Sequence, residues 1–395
     1  MISLRDSPRR ELGGPDPLDR RLGGPPLTAL EWLRSLLFTR SALGLSPSLT
    51  PAIIFLPLGA LLGPQGLQWF TPAWLTRFDA AVTIALAVLG VIVGLAVARE
   101  LRGSLRLLLA ASLESAITIA FVGGATIYFV QQTGVPLEAP LLAFALAIGL
   151  CASASSATSA SPDSESAAGV ATSVADLDDV LPIVITTVAF ALMAPALPAG
   201  AWIAAVTPLG IGLAISAIGW LIFDRAESGA ERVVFVLGTV SLAGGAAGYL
   251  HASPLAVGLV AGVAWVFLPG RADRVIADDV RRVQHPLVVL LLLTAGARWV
   301  PSMAAVWLLA PYLLFRLAGK SAGAWATARL VDVRAGDLAA FLVPPGVLAV
   351  AFALNFRQVL PAEAGEILIS TVAMGTAAFE LFALAVLPLW RRGSR

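Results

Sequence analysis

From residue 50 onward the chain alternates long apolar runs with short polar or Gly/Pro interruptions. Counting runs of roughly 17 to 25 residues gives about twelve candidate membrane spans. Their limits are 50–66, 79–98, 105–130, 137–160, 168–195, 200–223, 230–250, 254–269, 285–300, 303–328, 336–355 and 366–390. Upstream, LTALEWLRSLLFTRSALG (27–44) keeps helical apolar spacing but is interrupted by Glu31, Arg34 and Arg40, which predicts an interfacial amphipathic helix rather than a span. The first 26 residues carry Pro, Gly and Arg in a near-repeat, LGGPDPLDRR then LGGPPL, with too few apolar side chains to fold alone. They read as a disordered cytoplasmic tail, without the apolar core and small-residue cleavage site of a signal peptide. The expected division is a tail and amphipathic segment over 1–47 and a transmembrane domain over 48–395.

Composition agrees, with 58% hydrophobic and 13% charged residues, far from the balance of a soluble domain. The net charge of +1 points to no nucleic-acid partner, and the informative charges are in the loops. Connections after even-numbered spans hold Arg99, Arg102 and Arg106; Arg225 and Arg232; Arg271, Arg274, Arg281 and Arg282; then Arg329 and Arg334. Those after odd-numbered spans hold only Arg77, Arg298 and Arg357. Because basic loops stay on the cytoplasmic side, the asymmetry supports twelve spans in the inner (plasma) membrane with both termini cytoplasmic. A single cysteine, Cys151, and two distant histidines, His251 and His285, leave no internal disulfide or zinc spacing and imply no cofactor.

The fifth candidate span contains ADLDDVLPIV. Asp179 lies about 16 Å along it at ~1.5 Å per residue, near the middle of a hydrocarbon core about 30 Å thick. A carboxylate there costs about 2.5 to 3.5 kcal/mol, so the pair Asp178 and Asp179 needs a partner or a use. Neighbours on a helix point about 100° apart, which suggests two roles. In the tenth span, Arg316 reaches a similar depth, about 18 Å from the opposite side, and is the first candidate partner for an aspartate. Lys320, the only lysine in the chain, lies a turn nearer the cytoplasm and is the second.

Two further spans carry break signals. The fourth ends in GLCASASSATSASP, whose small residues also suit close helix packing. The eleventh contains VPPGVLAVAF, where Pro344 and Pro345 remove two backbone donors and Gly346 follows. Spans three to five and ten to twelve therefore each have an interrupted middle member and enter from opposite sides. This predicts an all-α polytopic membrane protein with about 12 transmembrane helices, inverted repeats and two crossed discontinuous helices around an ion site.

Four stretches resemble the cation/proton antiporter superfamily, specifically bacterial sodium/proton exchangers. LPLGALLGPQGL (Leu56–Leu67) looks like the first-helix signature G-x-x-L-G-P-x-G-L, and ADLDDVLPIV like the ion-binding helix. FRLAGKSAGAW (Phe315–Trp325) is similar to the R-x-x-G-K-x-x-G stretch, and FLVPPGVLAVAFAL followed by TAAFELFALAVLPLW to the final crossing and closing helices. The resemblance implies exchange of a monovalent cation, Na+ or else Li+ or K+, for H+ by a homodimeric transporter in the lipid bilayer. Asp179 would bind the cation (as the Na+ ligand) or a proton. Asp178 would be the second acid, paired with Arg316. Backbone and hydroxyls near Ser155, Ser156 and Thr158, with Pro344, Pro345 and Gly346, would form the crossing, and Glu380 would be an accessory acid. The fourth span lies closer to the aspartates than is usual in this family, so either its inner half is short or its break lies nearer Cys151. Glu114, in the third span, receives no role.

A carboxylate that alternates between a proton and a cation is an exchanger, and oxygen ligands suit sodium and lithium. The main rival on the same architecture is sodium-coupled symport of an organic anion held by Arg316. An intramembrane aspartyl protease would need a G-x-G-D motif, which is absent, so no enzyme is expected. A channel would conduct without coupling.

Overall fold

The computed structural model describes residues 51–393 apart from 102–104, 135–136, 138, 156–164, 194–200, 224, 227 and 270–271. The tail and the amphipathic segment lie outside these residues. Fourteen helices follow one another among the described residues. They are α1 (Pro51–Leu62), α2 (Pro72–Leu101), α3 (Leu105–Thr133), α4 (Leu141–Ser153), α5 (Glu165–Leu177), α6 (Val180–Met193) and α7 (Ala201–Phe223). Then come α8 (Gly229–Tyr249), α9 (Pro254–Phe267), α10 (Ala272–Ala297), α11 (Met303–Val331), α12 (Ala335–Leu342), α13 (Val347–Phe356) and α14 (Ala362–Gly393).

Every apolar run corresponds to one helix or to two shorter pieces. Helices α2, α3, α7, α8, α11 and α14 are long and apolar enough to cross a bilayer alone. The remaining crossings are α1, α4, α9, α10 and the broken pairs α5/α6 and α12/α13. This is a multi-pass helical membrane protein.

Helices α1, α2 and α7 to α10 pack mainly among themselves, and α3 to α6 with α11 to α14 form a second group. In lipid the hydrophobic effect does not hold helices together, so backbones must approach closely through small residues. A Cβ on Gly90 would overlap the Leu255 carbonyl oxygen, and one on Gly258 would overlap that of Ala87, so the two glycines let α2 lie directly against α9. Two of the three glycines of LPLGALLGPQGL act in the same way. Gly59 and Gly63 seat α1 against Leu293 and Ala297 of α10, so the part of this motif that resembles a family signature is packing chemistry.

The few arginines of the odd-numbered connections are engaged in contacts of their own. Arg298 donates to Asp79 at 2.5 Å and to the Leu75 carbonyl at 2.7 Å, and Arg357 lies 3.6 Å from the same carboxylate. Arg77 stacks over Trp74. Since Asp79 is on α2 and Arg357 follows α13, this ion cluster joins the two helix groups. So do the Asn355 amide, donating to Ser253 at 3.1 Å, and the Ser370 hydroxyl, which accepts from Val300 N–H at 3.1 Å.

Candidate functional site

The end of α4 meets the break between α12 and α13. α4 stops at Ser153, Ala154 is extended, and Ser155 forms an isolated antiparallel bridge with Pro345. Opposite chain directions at the crossing are what inverted repeats require. The double proline explains the second break, because neither Pro344 nor Pro345 can donate a helical hydrogen bond. The last carbonyls before the break, whose helical donors would lie beyond it, find other donors. The Ser155 hydroxyl donates to Leu342 O at 2.9 Å, and the Arg316 guanidinium to Val343 O at 3.2 Å. Pro344, Pro345 and Gly346 are buried there. Ser156 and Thr158 lie outside the described residues.

The expected pairing of Arg316 with Asp178 is corrected by this geometry. Arg316 donates to the carbonyls of Ala152 and Ala154, the latter at 2.8 Å, as well as to Val343. It therefore sits between the carbonyl ends of α4 and α12, where two helix dipoles place partial negative charge. A planar fork with five donors spreads over carbonyls diverging from two helix ends, with a wider reach than a compact ammonium. Phe379 covers it, with the guanidinium carbon 5.5 Å from the ring centre.

Lys320 is the partner of Asp178. Its ammonium lies 3.0 Å from Asp178 Oδ2 and 3.0 Å from Glu114 Oε2, and it also donates to the Ser153 carbonyl. All three side chains are fully buried. Helical spacing puts Lys320 one turn beyond Arg316, so one helix supplies both cations, one for carbonyls and one for carboxylates.

The aspartates occupy the turn between α5 and α6. Four residues after Asp178 comes Pro182, which cannot donate to the Asp178 carbonyl as a helix would require. The Ser115 hydroxyl of α3 donates instead, at 2.5 Å. Asp178 and Asp179 are 0% and 2% exposed, and each keeps one carboxylate oxygen, Oδ1, with no hydrogen-bond partner among the described residues. Two open carboxyl oxygens on adjacent residues, beside a lysine shared with another acid, can receive a small cation or a proton.

Glycines set the distance between the two flanking helices. A Cβ on Gly323 would meet Glu114 Cγ at 2.9 Å and its carbonyl oxygen at 3.1 Å, and one on Gly319 would meet Thr118 Cα at 3.0 Å. The glycines of R-x-x-G-K-x-x-G thus bring α3 to the lysine. Gly323→Ala should force α3 and α11 apart and cost about 1 to 3 kcal/mol. A lowered Tm in detergent checks this, and an unchanged Tm would show that the helices are not in close contact at this point.

Sequence reasoning left Glu114 without a role and overlooked Ser115, Thr118 and Pro182. The available signals were the i, i+4 pair Glu114 and Thr118 on one helix face and a proline four residues past Asp178. Glu380 is buried on α14 and has interactions of its own.

No protein-family model matches the sequence, and no curated protein matches it. Among solved structures, the sodium proton antiporter MjNhaP1 from Methanocaldococcus jannaschii superposes with a TM-score of 0.60 at 15% identity, over 85% of this chain and 92% of that one. With the crossed breaks and the buried aspartates in place, that likeness assigns this chain the fold of a sodium/proton antiporter.

Proposed function

We propose that this chain exchanges a monovalent cation, sodium first, for protons by alternating access, with Asp179 as the residue that binds either ion. The carrying observation is the pair of buried, open carboxylate oxygens on Asp178 and Asp179 beside the crossing of α4 with the α12/α13 break. A fully desolvated carboxylate is unfavourable, so Asp179 is stable only with a proton or a cation attached, and competition for one position is exchange. Asp178 contributes its open Oδ1 as a second oxygen, the more strongly the less its charge is drawn to Lys320 through Oδ2. Arg316 fixes the two helix ends and carries no ion.

Organic-anion symport loses support, because the guanidinium that would hold the anion is committed to the carbonyls of Ala152, Ala154 and Val343. The protein in proteoliposomes with an internal pH dye tests the proposal. Sodium or lithium added alone should move protons against a gradient, and potassium should be weaker. Sodium uptake without proton movement unless an organic anion is present would overturn it.

A further inference from the structure

Glu114 is the buried acid for which neither the fold nor the exchange chemistry has yet supplied a use. It lies on α3, opposite the aspartates across Lys320, and it is as deeply buried as they are. Its two oxygens are both occupied, Oε2 by Lys320 at 3.0 Å and Oε1 by the Thr118 hydroxyl at 3.0 Å. Asp178 differs in that only Oδ2 is engaged, by the same lysine at 3.0 Å, and Oδ1 has no hydrogen-bond partner among the described residues. An ammonium has three N–H groups, and Glu114, Asp178 and the Ser153 carbonyl take one each.

This asymmetry bears on what happens when a cation arrives. Asp178 can offer its open Oδ1, but its negative charge is drawn toward Lys320 through Oδ2; the lysine's pull must weaken for that charge to serve the cation, and a buried lysine left without a counter-charge is strongly unfavourable. With Glu114 in place the lysine is not left alone. Glu114 is anchored by Thr118 from within its own helix, and the close approach at Gly323 keeps that helix against α11.

We infer that Glu114 is a positioning residue of the cation site: it is the standing counter-ion of Lys320, and it thereby frees Asp178 to join Asp179 on the cation. The inference rests on the exchange proposed above. Without Glu114 the lysine has one carboxylate partner and holds it, so the cation must compete with an ammonium for Asp178.

The test uses the full chain in proteoliposomes, with sodium-driven proton movement as the readout. Glu114→Gln should raise KM for sodium about tenfold, a loss of ~1.4 kcal/mol, while kcat stays within about twofold. Glu114→Asp, which keeps the charge, should fall between it and wild type. Adding Lys320→Met to Glu114→Gln should bring KM back to about that of Lys320→Met alone, because no ammonium is left to retain Asp178. Thr118→Val, which removes only the anchor on Oε1, should shift KM in the same direction by a smaller factor, and it serves if Glu114→Gln does not fold. A merely structural Glu114 would lower Tm and leave KM where it was. Unchanged KM in Glu114→Gln, or in Thr118→Val where the first variant cannot be made, overturns the inference while exchange by wild type still stands. Wild type that moves no protons on sodium overturns the exchange proposal itself, and this inference with it.

Discussion

Asp179→Asn is expected to reduce sodium-driven proton movement by at least about a hundredfold, or ~2.7 kcal/mol, while the protein remains folded. Asparagine keeps the size of the side chain but can neither release a proton nor present a negative oxygen. The position is 2% exposed with one oxygen unpartnered, so replacing a buried anion by a neutral amide removes an electrostatic cost and few contacts. Tm should accordingly stay within about 4 °C of wild type, or rise. The paired measurement is proton flux in proteoliposomes and thermal unfolding in detergent. Normal flux by this variant would mean that another group carries the ion, whereas loss of flux accompanied by a large fall in Tm would mean that Asp179 is structural.

Arg316→Ala should be the most destabilising single change at the site, by about 3 kcal/mol or more, and should exceed Lys320→Met. The ordering follows from what each residue leaves behind. Removing the guanidinium strands the carbonyls of Ala152, Ala154 and Val343 at two buried helix ends, at about 1 to 3 kcal/mol for each unsatisfied group. A carbonyl cannot escape that cost by titrating. Removing Lys320 leaves Glu114 and Asp178, and carboxylates can take up protons to become neutral. Arg316→Lys should not rescue Arg316→Ala, because an ammonium lacks the planar, widely spread donors that reach both helix ends at once. Pairwise cycles in thermal unfolding decide the matter. Coupling of Asp178 to Lys320 and near-additivity of Asp178 with Arg316 are expected, and strong coupling of Asp178 to Arg316 instead would restore the pairing that sequence suggested.

The misplaced pairing shows where sequence reasoning reached its limit. Depth along a helix can be counted from residue spacing, and both Arg316 and Lys320 were within reach of the aspartates by that count. Rotation about the helix axis and the direction of the facing helix cannot be counted. The carbonyls that claimed Arg316 exist only because α4 ends at Ser153 and α12 at Leu342, and because the two ends meet. The role of Glu114 was out of reach for a related reason. A single acid in an apolar run carries no periodic signal, and its partner is 206 positions away in sequence.

Apolar run length and the double proline were sufficient for the helical membrane class, the order of the helices and the break at Pro344 and Pro345, since these depend on transfer free energy and on backbone donors that a residue either has or lacks. The paired aspartates announced themselves by their cost in hydrocarbon. Only the tertiary structure decided who meets whom: Ser155 with Pro345, Arg316 with two helix ends, Ser115 with the carbonyl that Pro182 leaves free, and Lys320 with both Asp178 and Glu114. Such contacts depend on glycine-permitted approaches of a few ångströms between distant segments, and on competition among several acceptors for few donors. Both are properties of the assembled helices and of no single stretch of chain.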